Sequence, residues 1–89
     1  DIEALAMKLL ANLAVNYPDT LASRYKIDIS ENDSGFDLLE KVGRKRGMLI
    51  SGGEINTERA AITVLDEYRS GKLGRITLEK PDDFCDGEN

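Results

Sequence analysis

The sequence predicts a small all-α domain, a bundle of about four helices with an extended C-terminal arm. Apolar residues recur at helical spacing in successive stretches, the first of them Ile2, Leu5, Leu9 and Leu13. Residues that open or close helices, namely Asp1, Pro18, Ser34, Gly47, Asn56 and Gly71, fall between those stretches. Sustained alternation with period two is confined to one run, residues 73–79.

Each element has its own local cause. Over residues 2–16, Ala6 and Leu10 sit beside the apolar stripe while Glu3, Lys8 and Asn12 lie outside it, and Asp1 can cap the helix. Pro18 ends it by biasing Tyr17 out of the helical region. The same proline suits the first position of a second helix over 18–25, with Asp19 at its positive end and Leu21, Ala22 and Tyr25 inward. Tyr17 and Tyr25 are expected as core anchors with their hydroxyls at the rim. Ile27 and Ile29 mark an extended connection lying against the helices.

Ser34 or Asp33 caps the third helix, Ser34 with Asp37 resembling a capping box, and its inward positions are Phe36, Leu39 and Val42 with Leu38 at the margin. Gly43 inside that helix costs roughly 0.5–1 kcal/mol against alanine, which points to close packing or to close approach by a partner. The fourth helix runs from about Thr57 to Ser70, with Ala60, Ala61, Val64, Leu65 and Tyr68 inward and Ile62 widening the stripe. Gly71 closes it and Leu73 folds back as the contact of a Schellman-type ending. Residues 73–79 then form an extended arm, or half of a very small sheet with residues 48–50.

With 89 residues the chain is one domain, which buries only about 60–65% of the surface its unfolded form exposes. The 40% hydrophobic content, three tyrosines and two phenylalanines of the whole chain are those of a globular protein, and the domain is expected over residues 1–81. Residues 82–89 lack any apolar pattern and read as a disordered acidic tail. The first residue is Asp1 rather than methionine, no signal-peptide pattern occurs, and no apolar run nears the roughly 20 residues of a membrane span. A soluble excerpt of a longer cytoplasmic protein is expected, with no membrane contact. The lone cysteine, Cys85, excludes an internal disulfide.

The chain has no histidine, which removes the usual general base, the Ser-His-Asp and Cys-His nucleophile systems and the common zinc sites. No phosphate loop occurs, and Gly52-Gly53 does not fit the dinucleotide fingerprint. The acid pairs Glu31/Asp33, Asp66/Glu67 and Asp82/Asp83 fall in loops, on solvent faces or in the tail. A binding module with no catalytic residue, metal ligand or cofactor is expected.

Net charge is −5, but it is divided along the chain. Residues 1–40 hold three cations against eight acids, whereas residues 41–80 hold nine cations against five. The densest stretch runs from Lys41 to Asn56. Lys41, Arg44, Lys45 and Arg46 load the end of the third helix with positive charge, Gly47 closes it, and Met48, Leu49 and Ile50 are expected to plug into the core. Ser51-Gly52-Gly53 then turns the backbone, and Asn56 accepts from the first amides of the next helix. A cationic helix end beside free backbone N–H groups is one way to build a phosphate-binding surface. Candidate phosphate-contacting residues are therefore Lys41, Arg44, Lys45, Arg46, Ser51, Gly52, Gly53, Arg59, Arg69, Lys72 and Arg75.

The ordered signatures Tyr17-Pro18 with Leu21 and Arg24-Tyr25, Gly43-x-Lys45-Arg46-Gly47-x-Leu49, Ser51-Gly52-Gly53-x-Ile55-Asn56 and Lys72-x-Gly74-Arg75-Ile76-Thr77-Leu78-Glu79-x-Pro81 resemble the C-terminal domain of the ribosome biogenesis GTPase A family, the YlqF-type circularly permuted GTPases. The resemblance covers about residues 1–81; the acidic tail has no match in it. It implies a small all-α domain following a GTPase domain that holds GTP and Mg²⁺. It also implies cytoplasmic work in late assembly of the large ribosomal subunit, in contact with ribosomal RNA and ribosomal proteins of the precursor particle. No GTP ligand transfers to any residue here. Two other readings are open: a domain that braces its own GTPase domain or another protein, and a helix-turn-helix DNA-binding domain with residues 72–79 as a wing. Against the latter stand the long connection from Gly47 to Asn56 and the acids Glu54, Glu58, Asp66 and Glu67.

Overall fold

A computed structural model describes residues 1–73, which form four helices: α1 (Ile2–Asn16), α2 (Pro18–Tyr25), α3 (Gly35–Lys45) and α4 (Thr57–Arg69). The predicted arm and acidic tail, with Arg75 and Cys85, lie outside the described residues.

The helix ends follow the local chemistry of the sequence. Asp1 accepts from the amides of Glu3 and Ala4, and Ser34 and Asp37 complete a reciprocal capping box. Asn56 accepts from the amide of Arg59. Both α3 and α4 end in Schellman motifs with a glycine at positive φ. In α3, Met48 N–H donates to Gly43 O and Gly47 N–H to Arg44 O; in α4, Lys72 N–H donates to Glu67 O and Gly71 N–H to Tyr68 O. Each motif satisfies carbonyls that the helix leaves without an internal partner.

Helix α1 packs on each of the other three, so its leucines are the centre of the core. Leu9, Leu10 and Leu13 are buried with Leu21 and Tyr25 of α2, Leu38, Leu39 and Val42 of α3, and Ala60, Ala61, Val64 and Leu65 of α4. Leu73 folds back and is buried among them, as its place after Gly71 predicts. Ile27 and Ile29 lie half-buried against this cluster on the way to α3.

Two side-chain assignments are corrected. Phe36 stands 46% exposed while Leu38 is fully buried. Because α3 packs on both α1 and α4, it needs a broad inner face of Leu38, Leu39, Val42 and Gly43, which turns Phe36 outward. Met48 packs half-buried against the core, with Thr63 donating to its sulfur, but Leu49 and Ile50 are each 48% exposed and do not plug it. They form one side of a tight hairpin instead. Leu49 pairs antiparallel with Ile55, Ile50 N–H donates to Glu54 O and Asn56 N–H to Met48 O, and Gly52 and Gly53 turn at positive φ. The partner of residues 48–50 in the described structure is thus the segment 54–56.

Gly43 and Gly35 are both sites of close packing. A Cβ on Gly43 would sit 2.6 Å from Ile55 Cγ2, and one on Gly35 would overlap the backbone carbonyl of Met7. These contacts seat α3 on the hairpin and on α1.

Candidate nucleic-acid interface

Glu67 lies on the last turns of α4 and turns its carboxylate inward, where it is 8% exposed. Four donor groups from two other elements reach it. Tyr25 Oη donates at 2.9 Å and Arg24 Nε at 3.2 Å from α2, while Arg46 at the end of α3 donates through Nη1 at 3.2 Å and Nη2 at 3.4 Å. The Arg46 guanidinium also lies 5.1 Å from the centre of the Tyr25 ring. Burial alone would push the Glu67 carboxyl up, but hydrogen bonds from Arg24, Tyr25 and Arg46 outweigh it and hold the group below its ordinary range. Burial, then the bond to Glu67, raises the Tyr25 phenol.

The consequence is topological: the C-terminal ends of α2, α3 and α4 meet at one place. Their last turns and the residues just beyond carry Arg24, Lys26, Arg44, Lys45, Arg46, Arg69 and Lys72, against Asp66 and Glu67. Cations there also offset the negative ends of three helix dipoles. Arg24 and Arg46 each give Glu67 part of a guanidinium and remain about one-third exposed. Arg44, Lys45, Arg69 and Lys72 are exposed and make no ion pair among the described residues.

The other candidates divide. Lys41 is committed to the domain itself, donating to Asp33 Oδ2 at 2.6 Å and Asp28 O at 2.8 Å, and the bond from Lys41 holds the Asp33 carboxyl below its usual range. It shares a concavity with Arg44, Lys45 and Asp28. Ser51, Gly52 and Gly53 are exposed at the hairpin tip, yet Gly53 N–H is already used on Ile50 O, and the cavity where Gly53 meets Arg44 also contains Glu40 and Glu54. Arg59 stands in the first turn of α4, roughly 12 Å along the helix from Glu67. The last turns of α3 and α4 and the residues just beyond thus carry Arg44, Lys45, Arg46, Arg69 and Lys72, with the glycine turn touching this set only at Arg44 and Arg59 standing at the other end of α4.

The sequence reading missed Arg24, Lys26 and Glu67. Arg24 and Lys26 belong to the acidic first half of the chain, and only the packing of α2 on α1, with Arg24 and Tyr25 reaching Glu67, brings them to the cations of the second half. One local signal existed: cations at residues 24 and 26 close α2 as those at 44–46 close α3.

Among the described residues no helix is long and apolar enough to cross a membrane, and no group of acidic or cysteine side chains could hold a metal ion. Fold and site define a small all-α domain, cationic at the end where three helices stop. It is a homologue of the ribosome biogenesis GTPase A proteins, and it matches their C-terminal domain.

The ribosome biogenesis GTPase A of Bacillus cereus is 33% identical over 84 residues, which cover 94% of this chain and 28% of that protein. That of Bacillus pumilus is 36% identical over 83 residues, 92% of this chain and 29% of the relative. An uncharacterized GTP-binding protein of Methanocaldococcus jannaschii is 36% identical over 78 residues, 84% of this chain and 20% of its own length. The chain thus spans less than a third of the length of these curated relatives. No protein-family model matches it.

Proposed function

We propose that the chain is the C-terminal accessory domain of a cytoplasmic GTPase of ribosome biogenesis, and that it docks on RNA of the large-subunit precursor through its cationic end. The observation that supports this reading is the meeting of three helix C-termini at Glu67, whose last turns and following residues carry Arg44, Lys45, Arg69 and Lys72 exposed and without an ion pair among the described residues. Phosphate contacts need such a surface, whatever the net charge of the whole. GTP and Mg²⁺ belong, in this reading, to the part of the parent protein that corresponds to the remainder of its relatives.

The test is co-sedimentation of the full-length parent with large-subunit precursor particles across a potassium chloride series. Arg44→Gln with Lys45→Gln is expected to weaken binding about tenfold or more and to flatten the salt slope by nearly one for each phosphate left unneutralised. Unchanged affinity and slope would overturn the reading.

A second reading has its own observation. An apolar groove lies between the first turns of α1 and α3, lined by Leu5, Met7 and Phe36 beside Asp1, with Ile2 also 45% exposed. Because the relatives' additional length precedes their C-terminal domain, the GTPase domain of the parent is the occupant best placed to cover it. Phe36→Ser should then leave the domain's own melting temperature unchanged and loosen its packing on the GTPase domain, read as faster proteolytic cleavage between the two.

A further inference from the structure

Within the cationic end, Thr20, Ser23, Arg24, Lys26 and Lys72 wall a shallow concavity of about 420 Å³ closed by Leu73. Among the described residues no carboxylate lines it. Its polar walls offer three cations and two hydroxyls, a donor set that suits the oxygens of a phosphate.

Three details of the chain prepare this wall. Arg24 donates to Glu67 through Nε, so both Nη amino groups remain for another acceptor while the carboxylate holds the guanidinium still. A fork fixed before its ligand arrives loses less freedom on binding. Lys26 closes α2 in the left-handed conformation, φ 57° and ψ 46°, and is the one residue other than glycine at positive φ among those described. Glycine would close that helix with about 1 kcal/mol less strain, so the position carries a cation at the expense of the backbone. Lys72 has its amide pinned on Glu67 O at 2.9 Å, which anchors the residue while its side chain stays exposed.

We propose that this concavity is a phosphodiester-binding subsite that seats one backbone phosphate of RNA between Arg24, Lys26 and Lys72, with Thr20 and Ser23 as further donors. It rests on the RNA reading above and adds a specific seat to it. Because the cations share a single phosphate, removing one abolishes that phosphate's share of counterion release, and removing a second adds little to the slope.

The experiment measures binding of the full-length parent to a fluorescently labelled transcript of large-subunit ribosomal RNA as potassium chloride rises. Lys26→Gln and Lys72→Gln singly should each weaken binding about fivefold and lower the salt slope by about 0.7–0.9, and the double variant should lower it by about the same amount. Lys8→Gln, which removes an exposed cation of α1 beside the apolar groove, should change neither. A double variant that binds like the parent would leave the RNA reading standing and remove the subsite. Slope losses that add between the two lysines would place them on separate phosphates and overturn the single seat. If the unaltered protein does not bind the transcript, the RNA reading falls, and the subsite with it.

Discussion

Arg46 and Glu67, 21 positions apart, face each other fork to fork, with Nη1 on Oε2 at 3.2 Å and Nη2 on Oε1 at 3.4 Å. The pair joins the end of α3 to the end of α4, and Arg24 and Tyr25 join α2 to the same carboxylate. One acidic side chain thus fixes the relative position of three helix ends.

Glu67→Gln should destabilise the domain by about 2 kcal/mol, less than a fully buried pair would lose because both arginines are partly solvated. For a domain this small that corresponds to roughly 8–16 °C in melting temperature by calorimetry. Far-ultraviolet circular dichroism at low temperature should still show folded helices.

The pH dependence has a definite sign. Glu67 is held below the ordinary glutamate value of 4.5, so its contribution is complete above that pH and disappears as pH falls through the native value. Melting temperature should drop below about pH 4.5, more steeply in the unaltered domain than in Glu67→Gln. Parallel acid profiles of the two proteins would contradict the network.

Gly43→Ala should destabilise by about 1–3 kcal/mol despite a gain of about 1 kcal/mol in helix propensity, because the new methyl meets the branched Cγ2 of Ile55. Ile55→Ala removes the obstructing atom, so a double-mutant cycle of urea midpoints should show the two changes as coupled. Gly35→Ala should be the more severe, since its obstruction is the Met7 backbone.

Lys26→Gly separates stability from binding. Relief of the left-handed strain should stabilise the domain by about 0.5–1 kcal/mol in urea unfolding, while affinity for the RNA transcript falls as in Lys26→Gln.

Ser34→Ala removes the hydroxyl of the capping box, in which Ser34 accepts from Asp37 N–H at 3.1 Å. A loss of about 1 kcal/mol is expected, again read from urea midpoints.

The helices were legible because their causes are local: Asp1, Pro18, Ser34 and Asn56 start elements, and Gly47 and Gly71 stop them within a few residues of where the apolar stripes change. What periodicity could not decide was the extent of coverage. Phe36 and Leu38 trade places because α3 is packed by two helices, and Leu49 and Ile50 follow hairpin pairing rather than their own hydrophobicity. The candidate site was legible in part. The cations that end α3 and α4 belong to local runs, but Arg24 and Lys26 join them only through tertiary packing, and the commitment of Lys41 to Asp33 depends on how the loop before α3 folds.

Helix α1 is the first of the four helices to leave the ribosome and touches every later one, α4 included. During synthesis Leu9, Leu10 and Leu13 are covered in stages by α2, α3 and α4, and the last share of that cover comes from the last of the four helices to be made. The nascent domain thus keeps part of its core open until α4 is made, so changes that loosen α4 should appear first as poor yield and aggregation rather than as a weakened native protein.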